Sequence, residues 1–282
     1  MKIGIVGNGF VGSSVAFGFS PQTGCDAEIK IYDKDESKST HSLSETLESD
    51  FIFVSVPTPS NSDGSINLDI VYDCFSEMSM LNKRKDNVIL LRSTVVPGTT
   101  RKLKNKFRNL NIVFNPEFLT ERSAKFDFIN QSRFILGGKQ SDVEKVSKLY
   151  CDRFGNSTPV IKTNYETAEM IKYMSNCFFA TKVSFMNEMY QIAEKVNVDW
   201  DDAVSGFVSD GRIGHSHLGV PGHDGKFGFG GSCFPKDIQA MIEFAEMFGI
   251  EPTVLKGAWK KNLEVRPEQD WKQLKGRAVN DE

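Results

Sequence analysis

The sequence predicts an α/β fold, with a doubly wound parallel sheet followed by an all-helical central domain built around one long helix. Three observations carry this. Short apolar runs alternate with amphipathic stretches through the first half of the chain. A Gly-x-Gly-x-x-Gly turn, Gly7 to Gly12, joins the first apolar run to the first amphipathic one, the signature of a Rossmann-type sheet. After residue 163 the strand pattern stops and apolar residues recur at helical spacing.

The apolar runs predict strands over Lys2–Val6, Glu28–Tyr32, Phe51–Val54, Asn87–Leu91, Ile112–Phe114 and Phe134–Leu136. Helices are expected over Gly9–Phe17, Leu68–Leu81 and Thr99–Phe107. Ser141-Asp142-Val143-Glu144 reads as a capping box opening a further helix to about Phe154. A second such box, Thr163-Asn164-Tyr165-Glu166, starts a segment without Gly or Pro to about Val196. Ala168, Ile171, Met174, Cys177 and Phe178 give it helical period, so it reads as a long, mostly buried helix. Shorter helices follow at Trp200–Val208, Pro235–Phe248 and Pro252–Leu263, with a glycine-rich loop at Gly219–Gly231. The expected division is residues 1–162, residues 163–265, and a polar tail over 266–282 that frays unless it docks.

Composition narrows the function classes. The 282 residues carry a net charge of −3, so there is no bulk basic surface for a nucleic acid. Five scattered cysteines without a Cys-x-x-Cys pair argue against a disulfide framework or a zinc knuckle, and no metal is expected. Met1-Lys2-Ile3-Gly4-Ile5-Val6 is interrupted too early for a signal peptide, and no run approaches the roughly 20 apolar residues that span a bilayer. No membrane association and a cytoplasmic location are expected.

The glycine turn Gly7-Asn8-Gly9-Phe10-Val11-Gly12 lies between a strand and a helix, where backbone can approach a pyrophosphate. Asp33 closes the second strand 21 residues after Gly12. An acid there accepts from a ribose 2′-hydroxyl and repels a 2′-phosphate, which favours NAD over NADP, with Lys34 beside it acting the other way. Three further loops follow predicted strands, at Val56–Pro59, Ser93–Gly98 and Asn115–Glu121. Strand carboxyl ends line the binding crevice of an open parallel sheet, so Thr94, Glu117 and Glu121 are candidates to face one cleft. Each loop alone is equally an ordinary proline turn. Lys172 and Asn176 share a helix face four residues apart, although a solvated lysine and a core-edge asparagine would look the same.

The sharpest block is Gly228-Phe229-Gly230-Gly231-Ser232-Cys233-Phe234-Pro235-Lys236-Asp237. Its glycines allow close approach to a ligand, and Pro235 suits the first turn of a helix. Cys233 then precedes a helix N-terminus and lies near Lys236, two features that activate a thiol. The other four cysteines sit in apolar or periodic surroundings. The histidines at 215, 217 and 223, and the basic stretch Arg101–Lys106, read as solvated loop and helix face.

Seven blocks in order, GNGFVG, VPTP, STVVPGTT, NPEFLTERSA, AEMIKYMSN, SFMNE and GFGGSCFPKD, resemble the UDP-glucose/GDP-mannose dehydrogenase family. The resemblance covers residue 3 to about 265. It implies an NAD-dependent four-electron oxidation of a nucleotide sugar, UDP-glucose to UDP-glucuronate in the leading case. Cys233 would capture the aldehyde and form a thioester. Lys172 and Asn176 would stabilise the oxyanion, and Asp237 would hold a water with Lys172. Glu117 would assist thioester hydrolysis, with Thr94 and Glu121 placing waters and substrate. Gly7, Gly9, Phe10, Val11, Gly12, Asp33, Lys34, Thr58, Thr94, Glu121 and Lys236 would line the cofactor. Phe118, Leu119, Glu121, Lys172, Asn176, Phe229 and Gly230 would meet the substrate. The long helix would pair two subunits as a homodimer. Two departures stand out. Arg122 occupies a position that is usually Gly, and the family's third, nucleotide-gripping domain is represented only by Leu274–Val279, which resembles its first strand. A two-electron β-hydroxyacid dehydrogenase, or an inactive NAD-binding partner subunit, are the competing readings.

Overall fold

The computed structural model describes residues 1–280. It contains seven strands and ten α-helices. They are β1 (Lys2–Val6), α1 (Phe10–Gly18), β2 (Glu28–Tyr32), α2 (Leu43–Thr46), β3 (Phe51–Val54), α3 (Asp69–Leu81), β4 (Val88–Leu91), α4 (Thr99–Lys106) and β5 (Ile112–Phe114). There follow α5 (Ala124–Ile129), β6 (Phe134–Gly138), α6 (Gln140–Phe154), β7 (Val160–Thr163), α7 (Tyr165–Lys195), α8 (Trp200–Val208), α9 (Phe234–Glu246) and α10 (Thr253–Val265). Among the described residues no helix is long and apolar enough to cross a membrane.

The chain forms two compact units. The first holds Met1–Thr58 and Leu68–Lys172; the second holds Pro59–Asn67 and Tyr173–Glu282. The boundary falls inside α7.

The first unit is one sheet in the order β2-β1-β3-β4-β5-β6-β7. Alternate residues of its strands feed two cores. Ile52, Val54, Ile89, Leu91, Ile112 and Phe114 pack with α3, α4 and the start of α7. Ile3, Ile5, Phe53, Leu90 and Val113 pack with α1, α5 and α6. Both faces are covered, as a doubly wound sheet requires. The strand order reverses around β1, which places the switch point at the carboxyl ends of β1 and β3.

One pairing departs from the expected parallel sheet. β5 and β6 are antiparallel, with Phe114 opposite Gly137. The connection from β5 packs α5 on α1, with the Phe128 ring against Gly18, instead of crossing the sheet face. The chain therefore re-enters past the carboxyl end of β5. Neither expected capping box forms as written. Lys139 is the N-cap of α6, without a side-chain cap bond, and the helix begins one residue before Ser141. At α7 the cap is Asn164, whose Oδ1 accepts from the Thr167 amide at 2.8 Å.

The second unit packs Ala180 of α7, Phe229, Ile238, Ile242 and Ala258 into one core. A smaller core joins Met186, Leu218 and Val220. The tail expected to fray is packed. Trp271 is buried with its ring 5.3 Å from that of Trp259. The buried Arg266 guanidinium pairs with Asp224 and Asp270, each at 2.7 Å. The Ser60 amide donates to Ala278 O, and the Asn280 amide donates to Ser60 O. The last two residues of that tail lie outside the described residues.

Candidate active site

At the switch point the three glycines of the turn do three different jobs. Gly7 has φ +87°, and a Cβ there would stand 2.5 Å from Ser55 O. A Cβ on Gly12 would stand 2.0 Å from Gly7 O, so glycine lets α1 close on the turn. Gly9, the N-cap of α1, is exposed and faces open space. That open space at a helix N-terminus is where backbone can meet a pyrophosphate. Phe10 and Val11 follow in the first turn of α1, both half-buried. Two buried oxygens at this mouth, Asn8 Oδ1 and Ser55 Oγ, have no partner among the described residues. Asp33 supports the turn in a way the spacing did not reveal. Its Oδ2 accepts from the Asn8 amide at 2.6 Å, and its Oδ1 from the Asp35 amide at 2.9 Å. Lys34 is exposed. A dinucleotide fits these residues.

The neighbouring loops are tied to one another. Ser93 Oγ donates to Val56 O at 2.7 Å, linking the loop that carries Thr94 to the loop that carries Thr58. Thr58 is buried and Thr94 half-buried. After β5, Glu117 is buried and its carboxylate is fully engaged. Oε2 accepts from the Leu119 amide at 2.6 Å, and Oε1 accepts from Lys172 Nζ at 3.0 Å. Lys172 Nζ also donates to Glu117 O at 2.5 Å and lies 5.2 Å from the Phe118 ring centre. Arg133 covers the same ring at 4.3 Å. Glu121 and Arg122 are exposed.

In the second unit, Cys233 is the half-buried N-cap of α9, with Pro235 in the first turn. The glycine-rich loop before it is fastened by side chains from two helices. Asn187 Oδ1 accepts from the Gly228 amide at 3.0 Å. Asn262 grips Phe229 from both sides, accepting from its amide at 2.7 Å and donating to its carbonyl at 3.0 Å. The Arg266 guanidinium lies against Gly230 so closely that a Cβ there would be 2.5 Å from Nη2. One turn into α9, Asp237 is fully buried and accepts from Asn176 Nδ2 at 2.5 Å. Lys236 is buried as well, and its ammonium is ion-paired with Asp237. The charge expected near the thiol is thus shared with a carboxylate. His217 is exposed, as expected of a loop histidine, with its ring also stacked 4.2 Å from Phe179 and 5.5 Å from Phe234.

Two other thiols are held inactive. Burial pushes the Cys74 thiol up to about 12, and burial with the nearby Asp237 carboxylate pushes Cys177 higher still. Sequence reasoning missed Asn187, Asn262 and Arg266. They are polar residues on helices or, for Arg266, just past a helix end, and their partners lie about 30 to 40 residues away in sequence, beyond any local pattern.

A doubly wound sheet with this glycine turn defines a dinucleotide-binding protein. The chain belongs to the UDP-glucose/GDP-mannose dehydrogenase family. The profile for that family's NAD binding domain matches residues 33–153, and the profile for its central domain matches residues 166–264. The UDP-glucose 6-dehydrogenase of Rickettsia prowazekii (strain Madrid E) is 35% identical, with 95% of this chain and 68% of the relative covered. UDP-glucose 6-dehydrogenase AglM of Haloferax volcanii is 32% identical over 92% of this chain and 68% of the relative. A UDP-glucose dehydrogenase structure from Pyrobaculum islandicum matches with a TM-score of 0.79 at 27% identity, over 93% of this chain and 68% of the other.

Proposed function

We propose that the chain oxidises UDP-glucose to UDP-glucuronate in two steps through a covalent bond to Cys233. The observation that carries this reading is the placement of Cys233 as the N-cap of α9, at the end of a loop fastened by Asn187 and Asn262. A helix N-terminus favours the thiolate, and a fixed loop holds it still. The relatives' names support the substrate.

NAD would be held by the Gly7–Gly12 turn, Asp33, Thr58 and Thr94, and two molecules bound in succession would accept one hydride each. In the first step the C6 hydroxyl loses its proton to a water held by Lys172 and Asp237 as its hydride departs, which leaves an aldehyde. The Cys233 thiolate adds to that carbonyl, and Lys172 and Asn176 donate to the oxygen that gains charge. Loss of the second hydride converts the thiohemiacetal to a thioester. Glu117 then takes a proton from water, which attacks the thioester and releases carboxylate and thiol. Glu121, Phe118, Leu119, Phe229 and Gly230 position the sugar.

We further propose a cytoplasmic homodimer. Met174, Phe178, Phe185 and Ile192 are exposed on α7 at spacings of four and seven, with exposed Val196 just past its end. Those spacings share one helix face, and an exposed apolar stripe of this size marks an interface. Free cysteines fit a reducing compartment.

The test is NADH yield from limiting UDP-glucose. Two NADH per sugar are expected for the wild type. Cys233→Ser is expected to lose steady-state turnover at least about a hundredfold, since the covalent route is gone. No NADH from UDP-glucose, GDP-mannose or N-acetylated UDP-hexosamines, in a folded protein that binds NAD, sinks the reading.

A further inference from the structure

Two strand-end loops of the first unit are fastened to one stretch of α7. Lys172 holds the β5 loop through Glu117. Three residues earlier, on the same side of the helix, Glu169 is fully buried and holds the β4 loop. Its Oε2 accepts from the Gly98 amide at 2.6 Å and its Oε1 from the Thr100 amide at 2.7 Å. Those amides open α4, whose N-cap Gly98 makes no side-chain cap bond, so a carboxylate from α7 takes that place.

This arrangement is costly if capping is all it does. Among the described residues no Lys or Arg is ion-paired with Glu169; the nearby Arg101 pairs with Glu166. Burial pushes the Glu169 carboxyl up to about 7. Gly98 sits at φ +93°, where a side chain is strained, so the cap of α4 is supplied from α7 and not from position 98. What a carboxylate reaching from α7 adds is register between loop and helix. The loop so held runs back through Pro97 to Thr94, and its start is tied by Ser93 to the loop carrying Thr58.

We propose that Glu169 is a positioning residue, which locks the Thr94 loop in register with the part of α7 that carries Lys172. It rests on the proposed roles of Thr94 in cofactor contact and of Lys172 in the reaction. Glutamine is the sharp probe. It has the same shape, but its amide nitrogen would face one of the two donors, so one bond is lost and the charge is gone.

The test uses the full chain as Glu169→Gln and Glu169→Asp. Hydrogen exchange is read at the Gly98 and Thr100 amides, NAD affinity by fluorescence quenching, and kcat and KM with UDP-glucose. In Glu169→Gln, exchange is expected to quicken, NAD affinity to fall about tenfold, and kcat to fall with little change in the sugar KM. Glu169→Asp keeps the charge but is one carbon short, and is expected to fall between. A lower Tm with NAD affinity and kcat of the folded enzyme unchanged would mean that Glu169 only caps α4, and would overturn the proposal. If the wild type makes no NADH from any nucleotide sugar, the proposed function fails. Exchange and NAD affinity in Glu169→Gln would still decide the latch.

Discussion

The Lys172–Glu117 pair joins stability to chemistry in one contact. Both side chains are buried, and each satisfies the other. Removing one partner strands a charge in low dielectric, which costs about 3–5 kcal/mol. Lys172→Met is therefore expected to lower the unfolding free energy by that amount and to abolish turnover. Lys172→Met with Glu117→Gln is expected to recover most of the stability and none of the activity; urea unfolding beside NADH assays checks both. Glu169 behaves differently. Its carboxyl is raised from 4.5 to about 7, chiefly by burial, so between those values the folded chain binds a proton that the unfolded chain has released. Stability from this group is fully present below about pH 4.5 and falls as pH rises toward 7, by about 3 kcal/mol at most. Urea unfolding at pH 5 and pH 8 should show that slope flattened in Glu169→Gln. Asp224 and Asp270 pull the other way. At Asp224 burial raises the carboxyl but bonds from Arg266 and the Lys226 amide outweigh it, and at Asp270 the Arg266 bond outweighs burial; both stay below their usual range, so their contribution is lost as pH falls below about 4.

At the scale of elements, the glycine turn separates folding from binding. Gly9→Ala puts a methyl group into open space, so Tm should hold while NAD affinity falls more than about tenfold. Gly12→Ala drives a methyl group into Gly7 O and should lower both. A thermal scan with and without NAD distinguishes the two. The same elements show how far a sequence can be read. The five inner strands, β1 and β3 to β6, are largely runs of Ile, Val, Leu and Phe buried on both faces, and those runs announce themselves. β7 escaped because it is an edge strand whose Ile161 and Lys162 are exposed, which leaves too little apolar signal. α2 and α5 span four and six residues, too few to display a helical period. The residues of the candidate site were legible because glycines, a proline and a cysteine occur in an order that packing alone does not produce. Their supports were not. Glu169 fits any helix sequence, and only the fold reveals that it meets the amides of Gly98 and Thr100, about 70 residues earlier.

At the scale of the whole molecule, the stripe on α7 makes a direct prediction. Light scattering should give twice the chain mass, and Phe178→Lys with Phe185→Lys should give monomers that keep NAD affinity. A monomeric wild type would count against the homodimer. Residues 59–67 carry a different consequence, one of timing. They follow Thr58 directly, yet Ser60 exchanges backbone hydrogen bonds with Ala278 and Asn280, and Asn61 bonds Asn280 at a separation of 219 residues. At roughly 5–20 residues per second of synthesis, those partners leave the ribosome about 10–40 s after Ser60 is made. The strands on either side, β3 and β4, can pair long before that. The segment between them can close on its own hydrogen bonds, Asn67 amide to Pro59 O and Asn61 amide to Ser65 O, and it gains its bonds to the tail only when translation delivers Ala278 and Asn280.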